Sequence, residues 1–484
     1  MSDSDSQTDL AGSVSVEIQT PDPGAEVFLL DGRLQVVARG VGGLQAMRPP
    51  GVYKLKVQTG QTIDEDLITL VKDKPFYRRL SPLPFATPVP LANTPGTDEA
   101  LMAAAEKASS ETQVTVGEGS GLFVFARDRM PDGQPAEAGH NPAAGLALYN
   151  AGGEKLVDLE SQSAQSAEGE PYAACGVALS PGCYRLAVTV PGGYNYEQTV
   201  VTAAGWRTNI FLRQRPTRQV PGERRPDLAD ASISMCKSEL PFSRYSEPTR
   251  MTETARLALV NRRAVVEGEL LPYLKNKFED PILGIFGGHL TLGHRPVDTG
   301  LMQEVVGNLR TLLGDQRHPD VEALALAADM PTDYEFAMPP MLRRSWAVVV
   351  QASATRPQLT PPGSVANAIA MLITNQDPWL IWERPWAGSP RKLDFAEAAT
   401  RLVWPQTTRC GTPGFKEQAF RWYAKTIEMA IQHFPIFRFV SGGRIQDTIR
   451  LLKTDESMEG LVTKLGLPRG AIEEMLDTFY KGLS

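Results

Sequence analysis

The chain has 484 residues, of which 42% are hydrophobic and 22% are charged. This composition predicts a soluble globular protein of roughly three domains, and it excludes a mainly disordered or membrane-embedded chain. Acidic residues outnumber basic residues by 56 to 49, so the net charge is -7. A negative net charge argues against a general affinity for nucleic acid or anionic lipid, and we expect neither a nucleic-acid nor a membrane partner.

The amino-terminal residues predict the compartment. Residues 1–10 contain three aspartates and no lysine or arginine, so they lack the cationic and apolar regions of a signal peptide. The longest apolar run, residues 282–292, is far shorter than the ~20 residues that cross a bilayer. Both features favour a cytoplasmic protein.

Residues 13–82 alternate apolar and polar positions in short runs, which is typical of half-buried strands separated by turns. Within them, residues 50–57 (PGVYKLKV) are repeated as residues 181–188 (PGCYRLAV). The repeat predicts two tandem antiparallel β-sandwich domains, residues 13–82 and residues 120–213. Tyr53, Leu55 and Val57 share one side of a strand, and we expect them to point inward.

The two copies are separated by residues 83–119. Five prolines between residues 82 and 95 predict a stiff linker, because proline lacks an amide donor and has a fixed φ. Thr97, followed by acidic residues and then alanines, predicts a short helix over residues 100–108.

Residues 214–250 are predicted to form an exposed hinge rich in arginine and proline. Residues 207–225 contain six arginines and one acidic residue, a local charge of +5, and they are interrupted by prolines. Such a segment can be a solvated linker, can bind an acidic partner, or can be cut by an arginine-specific protease. The candidate cleavage positions are Arg213, Arg215, Arg218, Arg224 and Arg225.

From residue 251 the apolar period lengthens to about 3.6, which predicts a mainly α-helical domain over residues 251–484, with a second boundary considered near residue 335. Pro319 after His318 is typical of a helix start. Residues 280–290 are rich in glycine but lack the G-K-S/T ending of a phosphate loop, so we expect close helix packing there.

Tryptophans form the first candidate partner-binding site of the helical half. Five of the seven tryptophans lie between residues 379 and 422. Trp379, Trp382 and Trp386 can form an aromatic surface for a partner, or they can simply fill a core.

The carboxyl-terminal residues 458–476 have the spacing of a helix-turn-helix and form the second candidate. Its second helix carries Glu473 beside Arg469, and acidic side chains there would repel DNA phosphates. We therefore expect a small helical unit that docks on protein.

No catalytic, metal or cofactor site is predicted. His289 and His294 are five residues apart, which places them on different faces of a helix and spoils a metal pair. The four cysteines, Cys175, Cys183, Cys236 and Cys410, form no C-x-x-C motif. Buried free thiols are favoured, although the sequence leaves open a disulfide between Cys175 and Cys183 across a tight hairpin.

Residues 50–57 and 181–188 resemble the late strand of carboxypeptidase-regulatory-like and PEGA-type β-sandwich modules, with its P-G-x-Y-x-L-x-V pattern. That resemblance implies a non-catalytic sandwich fold. Residues 280–284, 318–324 and 339–346 loosely resemble a bacterial helical module that accompanies caspase-like or trypsin-like protease systems.

The leading hypothesis is a non-enzymatic bacterial adaptor that binds protein partners, in a protease-linked defence or signalling system. It follows from a duplicated scaffold that lacks a convincing active site. A second hypothesis is a protease substrate or switch that is cut in the 213–225 hinge. A third is an enzyme with an unrecognised site in the helical half.

Overall fold

The structure is a computed structural model, and it describes most of the chain up to residue 385 and one later segment. The described residues are 13–20, 25–41, 43–59, 62–80, 87–92, 94, 97, 99–128, 140–166, 171–191, 194–217, 223–260, 279–293, 298–370, 372–374, 376–385 and 453–473. Trp386, Cys410, His294 and Arg218 lie outside them. The fold is mixed β plus α, with most of the helices in the later half.

Residues 13–80 form two sheets, which we call the first β unit. Its strands are β1 (Val14–Gln19), β2 (Glu26–Leu30), β3 (Val36–Val41), β4 (Gly43–Arg48), β5 (Gly51–Thr59), β6 (Thr62–Leu70) and β7 (Phe76–Arg79). The strand orders are β3-β2-β5-β6 and β4-β1-β7. Buried side chains from both sheets form one cluster. Tyr53, Leu55 and Val57 are buried in it, which confirms their predicted inward direction.

Residues 114–237 together with one later strand form the second β unit. Its strands are β8 (Val114–Thr115), β9 (Ser120–Arg127), β10 (Leu146–Tyr149), β11 (Lys155–Asp158), β12 (Ala164–Ser166), β13 (Tyr172–Leu179), β14 (Gly182–Val190), β15 (Tyr194–Thr202), β16 (Trp206–Pro216), β17 (Arg224–Pro226), β18 (Ser232–Lys237) and β19 (Ile381–Pro385). One sheet has the order β11-β10-β14-β15-β19. The other has the order β12-β13-β9-β16-β17, with β18 paired to β16 and β8 paired to β13.

The prediction of purely antiparallel sheets is wrong. Strand β1 runs parallel to β7, and β9 runs parallel to β16. Tight hairpins force antiparallel pairing only between strands that are neighbours in sequence. Strand β7 is separated from β1, and β16 from β9, by several other strands. Their direction is therefore set by how the chain returns from the other sheet.

The helices in the described residues are α1 (Glu99–Ser109), α2 (Leu159–Gln162), α3 (Glu247–Val260), α4 (Pro281–Leu292), α5 (Thr299–Leu313), α6 (Pro319–Ala327), α7 (Arg343–Ser353), α8 (Val365–Ile369) and α9 (Asp455–Leu465). Helix α1 confirms the short helix predicted after the proline-rich linker. Helix α6 begins at Pro319 with His318 as its N-cap, also as predicted. Gly288 of α4 lies against Leu324 of α6, where a Cβ would come within 2.8 Å of the leucine Cδ1, so these helices need a small residue to pack closely.

The helices after residue 246 pack onto the second β unit. A single buried cluster contains Ile210 of β16, Leu283 of α4, Val305 of α5 and Ile381 of β19. A second cluster gathers α7, α8 and α9. The later half therefore shares its core with the sheets, and it also contributes strand β19 to one of them.

The described part of the proline-rich linker is docked against the second β unit. Val89 and Leu91 are buried in a cluster with Phe123, Phe125 and other residues. The Arg127 guanidinium donates to the Thr87 carbonyl at 2.6 Å. Residues 87–92 thus pack into the core, which the prediction of a stiff linker did not include.

Cys175, Cys183 and Cys236 carry free thiols. Burial raises the pKa of Cys175 to about 11, so its thiol stays protonated at neutral pH. Among the described residues, no helix is both long enough and apolar enough to span a bilayer.

Candidate protein-interaction site

The arginine-rich segment is part of the second β unit. Residues 214–216 of β16 pair with residues 224–226 of β17, and β18 pairs along β16. Four of the five candidate arginines are described, and each has an acidic partner: Arg213 with Asp230, Arg215 with Asp227, Arg224 with Asp128, and Arg225 with Glu223. The expectation of an exposed linker is therefore wrong for these residues, because each arginine is neutralised by a carboxylate that the fold places beside it.

This placement predicts resistance to trypsin. Cleavage requires local unfolding of the backbone, and the β16–β17 hairpin opens only when its ladder and ion pairs break. The informative bonds follow Arg213 and Arg224, because trypsin cleaves poorly before proline and proline follows Arg215 and Arg225. We expect limited proteolysis with mass spectrometry to find cuts after Lys72, in an exposed turn, before cuts after Arg213 or Arg224. Early cleavage after Arg224 would contradict the docked arrangement.

Trp379 and Trp382 are fully buried, and neither forms a surface for a partner. The Trp379 indole donates to the Ala231 carbonyl at 2.7 Å, and its ring lies 5.7 Å from that of Phe286. Trp382 lies on β19. These two side chains fill the junction between the sheets and the helices, so of the two alternatives the core position is the one found for them and the partner surface is wrong.

Arg469 and Glu473 pair with each other at 2.8 Å. Arg469 also contacts Asp455 and the Ala354 carbonyl. Helix α9 ends at Gly466, whose φ of 65° is a left-handed C-cap. The apolar side of this unit packs into the cluster around α7. Arg469 thus joins the start of α9, at Asp455, to the end of α7, at Ala354.

A buried polar network joins α4, α6 and α7. His289 Nε2 lies 2.7 Å from Ser345 Oγ, and Asp320 accepts hydrogen bonds from the backbone N–H groups of Met341 and Leu342. Burial lowers the pKa of His289 to about 3 and raises the pKa of Asp320 to about 6. A serine beside a histidine can form a nucleophile, but all of these side chains are buried, and a substrate cannot reach Ser345 in this structure. His289 is thus a core histidine whose Nε2 has a hydrogen-bond partner. Within the described ranges, no group of three or more His, Cys, Asp or Glu side chains is placed to hold a metal ion.

The two copies of the repeated motif form equivalent hairpins, β5–β6 and β14–β15. In each copy, a preceding strand pairs with the first strand of the hairpin in the same register, with Leu30 opposite Lys54 and Tyr149 opposite Arg185. The next pairing shows a register irregularity at the same point in both copies, beside Leu30 and beside Tyr149.

The motif tyrosines also make the same contact. The Tyr53 hydroxyl donates to the Pro49 carbonyl at 3.0 Å, and the Tyr184 hydroxyl donates to the Ser180 carbonyl at 2.6 Å. Each bond reaches back four residues to the turn before the strand, as in the tyrosine corners of sandwich domains. These contacts explain why both copies keep a tyrosine after the P-G turn.

One ion pair occurs at the same place in both copies but in different surroundings. Lys54 lies 2.7 Å from Glu65, and Arg185 lies 3.1 Å from Glu197. The second pair is 4% exposed on each side chain, whereas Lys54 is 31% and Glu65 is 43% exposed. Strand β19 contributes to the difference at Glu197, because the Trp382 indole donates a hydrogen bond to its carboxylate at 3.1 Å.

The outer side of the first β unit is unusually apolar. Eight of the eleven exposed large hydrophobic residues in the described part of the chain belong to this unit: Leu34, Val36, Met47, Val52, Ile63, Leu67, Val71 and Tyr77. Val36, Leu30, Lys54 and Leu67 form one row across the sheet. Val52 is two residues from Lys54 and therefore faces the same way. We call Val36, Val52, Ile63 and Leu67, with the Lys54–Glu65 pair, the outer face. The outer face was not predicted, because it depends on the register that aligns apolar residues of different strands.

Comparisons with known proteins add little. No protein-family model matches the chain, and no curated protein matches it. Among solved structures, the Bacillus anthracis TIE protein has a TM-score of 0.16 and 11% sequence identity over 47% of this chain. The match spans 45% of that chain, less than half of its length. A likeness this weak carries no argument about the fold or the function.

Proposed function

We propose that the protein is a non-enzymatic adaptor and that the outer face of the first β unit is its partner-binding surface. The observation that carries this proposal is the concentration of exposed apolar side chains on one sheet. They lie next to the Lys54–Glu65 ion pair, which is partly exposed, whereas the equivalent Arg185–Glu197 pair of the second β unit is buried. Apolar side chains gathered on one face of a domain mark interaction sites, whereas scattered ones do not.

In this proposal the two sheets of the first β unit form a sandwich module, as the resemblance to PEGA-type domains implies. The second β unit and the helices form the body that carries it. The resemblance of the helical half makes a caspase-like or trypsin-like protease the first partner to test, and the compartment is the cytoplasm. The buried His289–Ser345 network does not favour an enzyme, because no substrate reaches it in this structure.

The test is affinity purification from the native host with two matched double variants. Val52→Glu/Leu67→Glu places charges on the outer face, and Val116→Glu/Leu240→Glu places them at exposed apolar positions outside the first β unit. We expect a stoichiometric partner to copurify with the wild type and with the second variant, and to be lost from the first. Equal recovery with both variants, or no stoichiometric partner at all, would contradict the proposal.

A further inference from the structure

Strand β6 has an open edge. It is the last strand of the order β3-β2-β5-β6, and within the described residues it pairs only with β5. The Leu67 N–H donates to the Asp66 carboxylate at 2.8 Å, so it points away from β5. Backbone groups alternate in direction along an antiparallel strand, so the N–H groups of Ile63 and Glu65 point outward with that of Leu67. An edge of this kind accepts another strand.

In the second β unit the equivalent edge is already filled. Strand β15 pairs with β19 over Tyr194–Gln198, with Asn195 opposite Arg384, Glu197 opposite Trp382, and Gln198 opposite Ile381. Lys56 and Ala187 occupy the same position of the repeated motif. Glu65 is opposite Lys56 and Glu197 is opposite Ala187, so Glu65 is the counterpart of Glu197. The positions that β19 covers therefore correspond to residues 62–66 of β6.

We propose that the residue 62–66 edge of β6 binds an extended segment of a partner protein as an added antiparallel strand, in the way that β15 binds β19. The inference rests on the proposed adaptor function and names the kind of ligand. The segment carries an aromatic residue opposite Glu65. The side chain of this residue lies over the Lys54–Glu65 pair, beside Leu67. Directly paired residues point to the same side of a sheet, so this ring covers the outer face.

The charge of Asp64 on β6 specifies the ligand residue next to the aromatic one. Asp64 is exposed, and its counterpart in the second copy is Tyr196. Tyr196 is opposite Glu383 of β19. A basic side chain in the ligand would pair favourably with Asp64, because opposite charges across a ladder stabilise it and like charges destabilise it. The expected ligand therefore carries an aromatic residue and a basic residue at adjacent positions.

The acidic residues of β6 disfavour a second copy of this chain as the occupant. Asp64, Glu65 and Asp66 are consecutive, and pairing β6 with another β6 about its centre places acidic residues opposite acidic residues in each of these rows. Asp66 is in addition already paired with Arg78. A heterologous basic and aromatic segment meets neither obstacle.

The probe is a fluorescein-labelled peptide of residues 378–385 that carries Glu383→Lys, added to the full chain and followed by fluorescence anisotropy. We expect saturable binding that Glu65→Pro weakens at least about tenfold, because proline removes an outward N–H and blocks strand addition. The matched control is Thr69→Pro, which changes an outward N–H on the same strand beyond residues 62–66 and should alter the affinity by less than about twofold. Thermal unfolding of each variant checks that the fold is intact.

A second variant tests the chemistry without proline. Asp64→Lys should reverse the preference, so that the unmodified peptide, which keeps Glu383, binds more tightly than the peptide carrying Glu383→Lys. No saturable binding, or equal binding to the wild type and to Glu65→Pro, would overturn the inference. So would concentration-dependent dimerisation of the wild type that Glu65→Pro abolishes, since the occupant would then be a second copy.

The outcomes also separate this inference from the adaptor function. If the native partner is lost from Val52→Glu/Leu67→Glu but retained by Glu65→Pro, the outer face binds the partner without strand addition, and only this inference fails. If no partner copurifies with any form while the peptide binds as described, the edge is a peptide site and the adaptor function fails.

Discussion

Replacing Arg256 with methionine should lower the free energy of unfolding by about 3–5 kcal/mol, because it leaves a buried charge without its partner. Arg256 is 2% exposed, and its Nε lies 3.0 Å from both carboxylate oxygens of Glu253, which is 1% exposed. Asp230 adds a further carboxylate at 3.6 Å. Urea unfolding of the purified chain measures the loss, from the midpoint at constant slope.

Two controls separate lost charge from lost packing. Adding Glu253→Leu to the Arg256→Met variant should restore much of the stability, because it removes the orphaned carboxylate along with its partner. Lys155→Met removes one side of the exposed Lys155–Asp158 pair and should cost less than about 1 kcal/mol. If Arg256→Met costs no more than Lys155→Met, the buried pair does not contribute as described.

Replacing Asp280 with alanine should cost about 3 kcal/mol, from a lost helix cap and buried donors left without acceptors. The Asp280 carboxylate accepts from the N–H of Ile282 at the start of α4, from the N–H of Met235 on β18 and from the Thr252 hydroxyl on α3. One side chain thus joins a sheet to two helices. Thermal unfolding measures the loss.

Asp280→Asn is the matched control, because it keeps an acceptor oxygen and does not titrate. Burial raises the pKa of Asp280 from 3.8 to about 7, so the folded state takes up a proton before the unfolded state does. The stability of the wild type relative to Asp280→Asn should therefore rise as the pH falls from about 8 to about 5. A difference that does not change with pH would show that the hydrogen-bond donors outweigh burial and keep the carboxylate ionised.

Several local features could be predicted from the residues because short-range chemistry specifies them. The P-G turn followed by alternating Tyr53, Leu55 and Val57 predicts a strand with one buried side, and the structure has it. Pro319 after His318 predicts the start of α6, since a proline at the first helical position gives up no hydrogen bond. The repeat of residues 50–57 predicts the equivalence of the two hairpins.

The arginine segment shows where such prediction stops. Its composition is that of a solvated linker, and nothing nearby in the sequence indicates that Asp128 and Asp230 lie beside Arg224 and Arg213. Charge runs acquire their meaning from carboxylates that the fold brings in from other elements. The tryptophans behave in the same way, because a ring that can anchor a partner and a ring that fills a core have the same sequence signature.

The candidate binding site depends on a comparison within the chain. Both copies carry the same hairpin and the same ion pair, and local sequence predicts no difference in how they are used. Strand β19 enters from a distant part of the chain and completes one copy, while in the described part of the chain no strand covers the edge of the other.

Strand type, helix starts and the duplicated hairpin thus follow directly from the order of residues, since each depends on contacts within a few positions. The direction of β7 and β16, the docking of the arginines, the burial of Trp379 and the pairing of β19 with β15 follow from the packed chain. Their physical cause is the burial of charge and apolar surface between segments far apart in sequence, which no local pattern records.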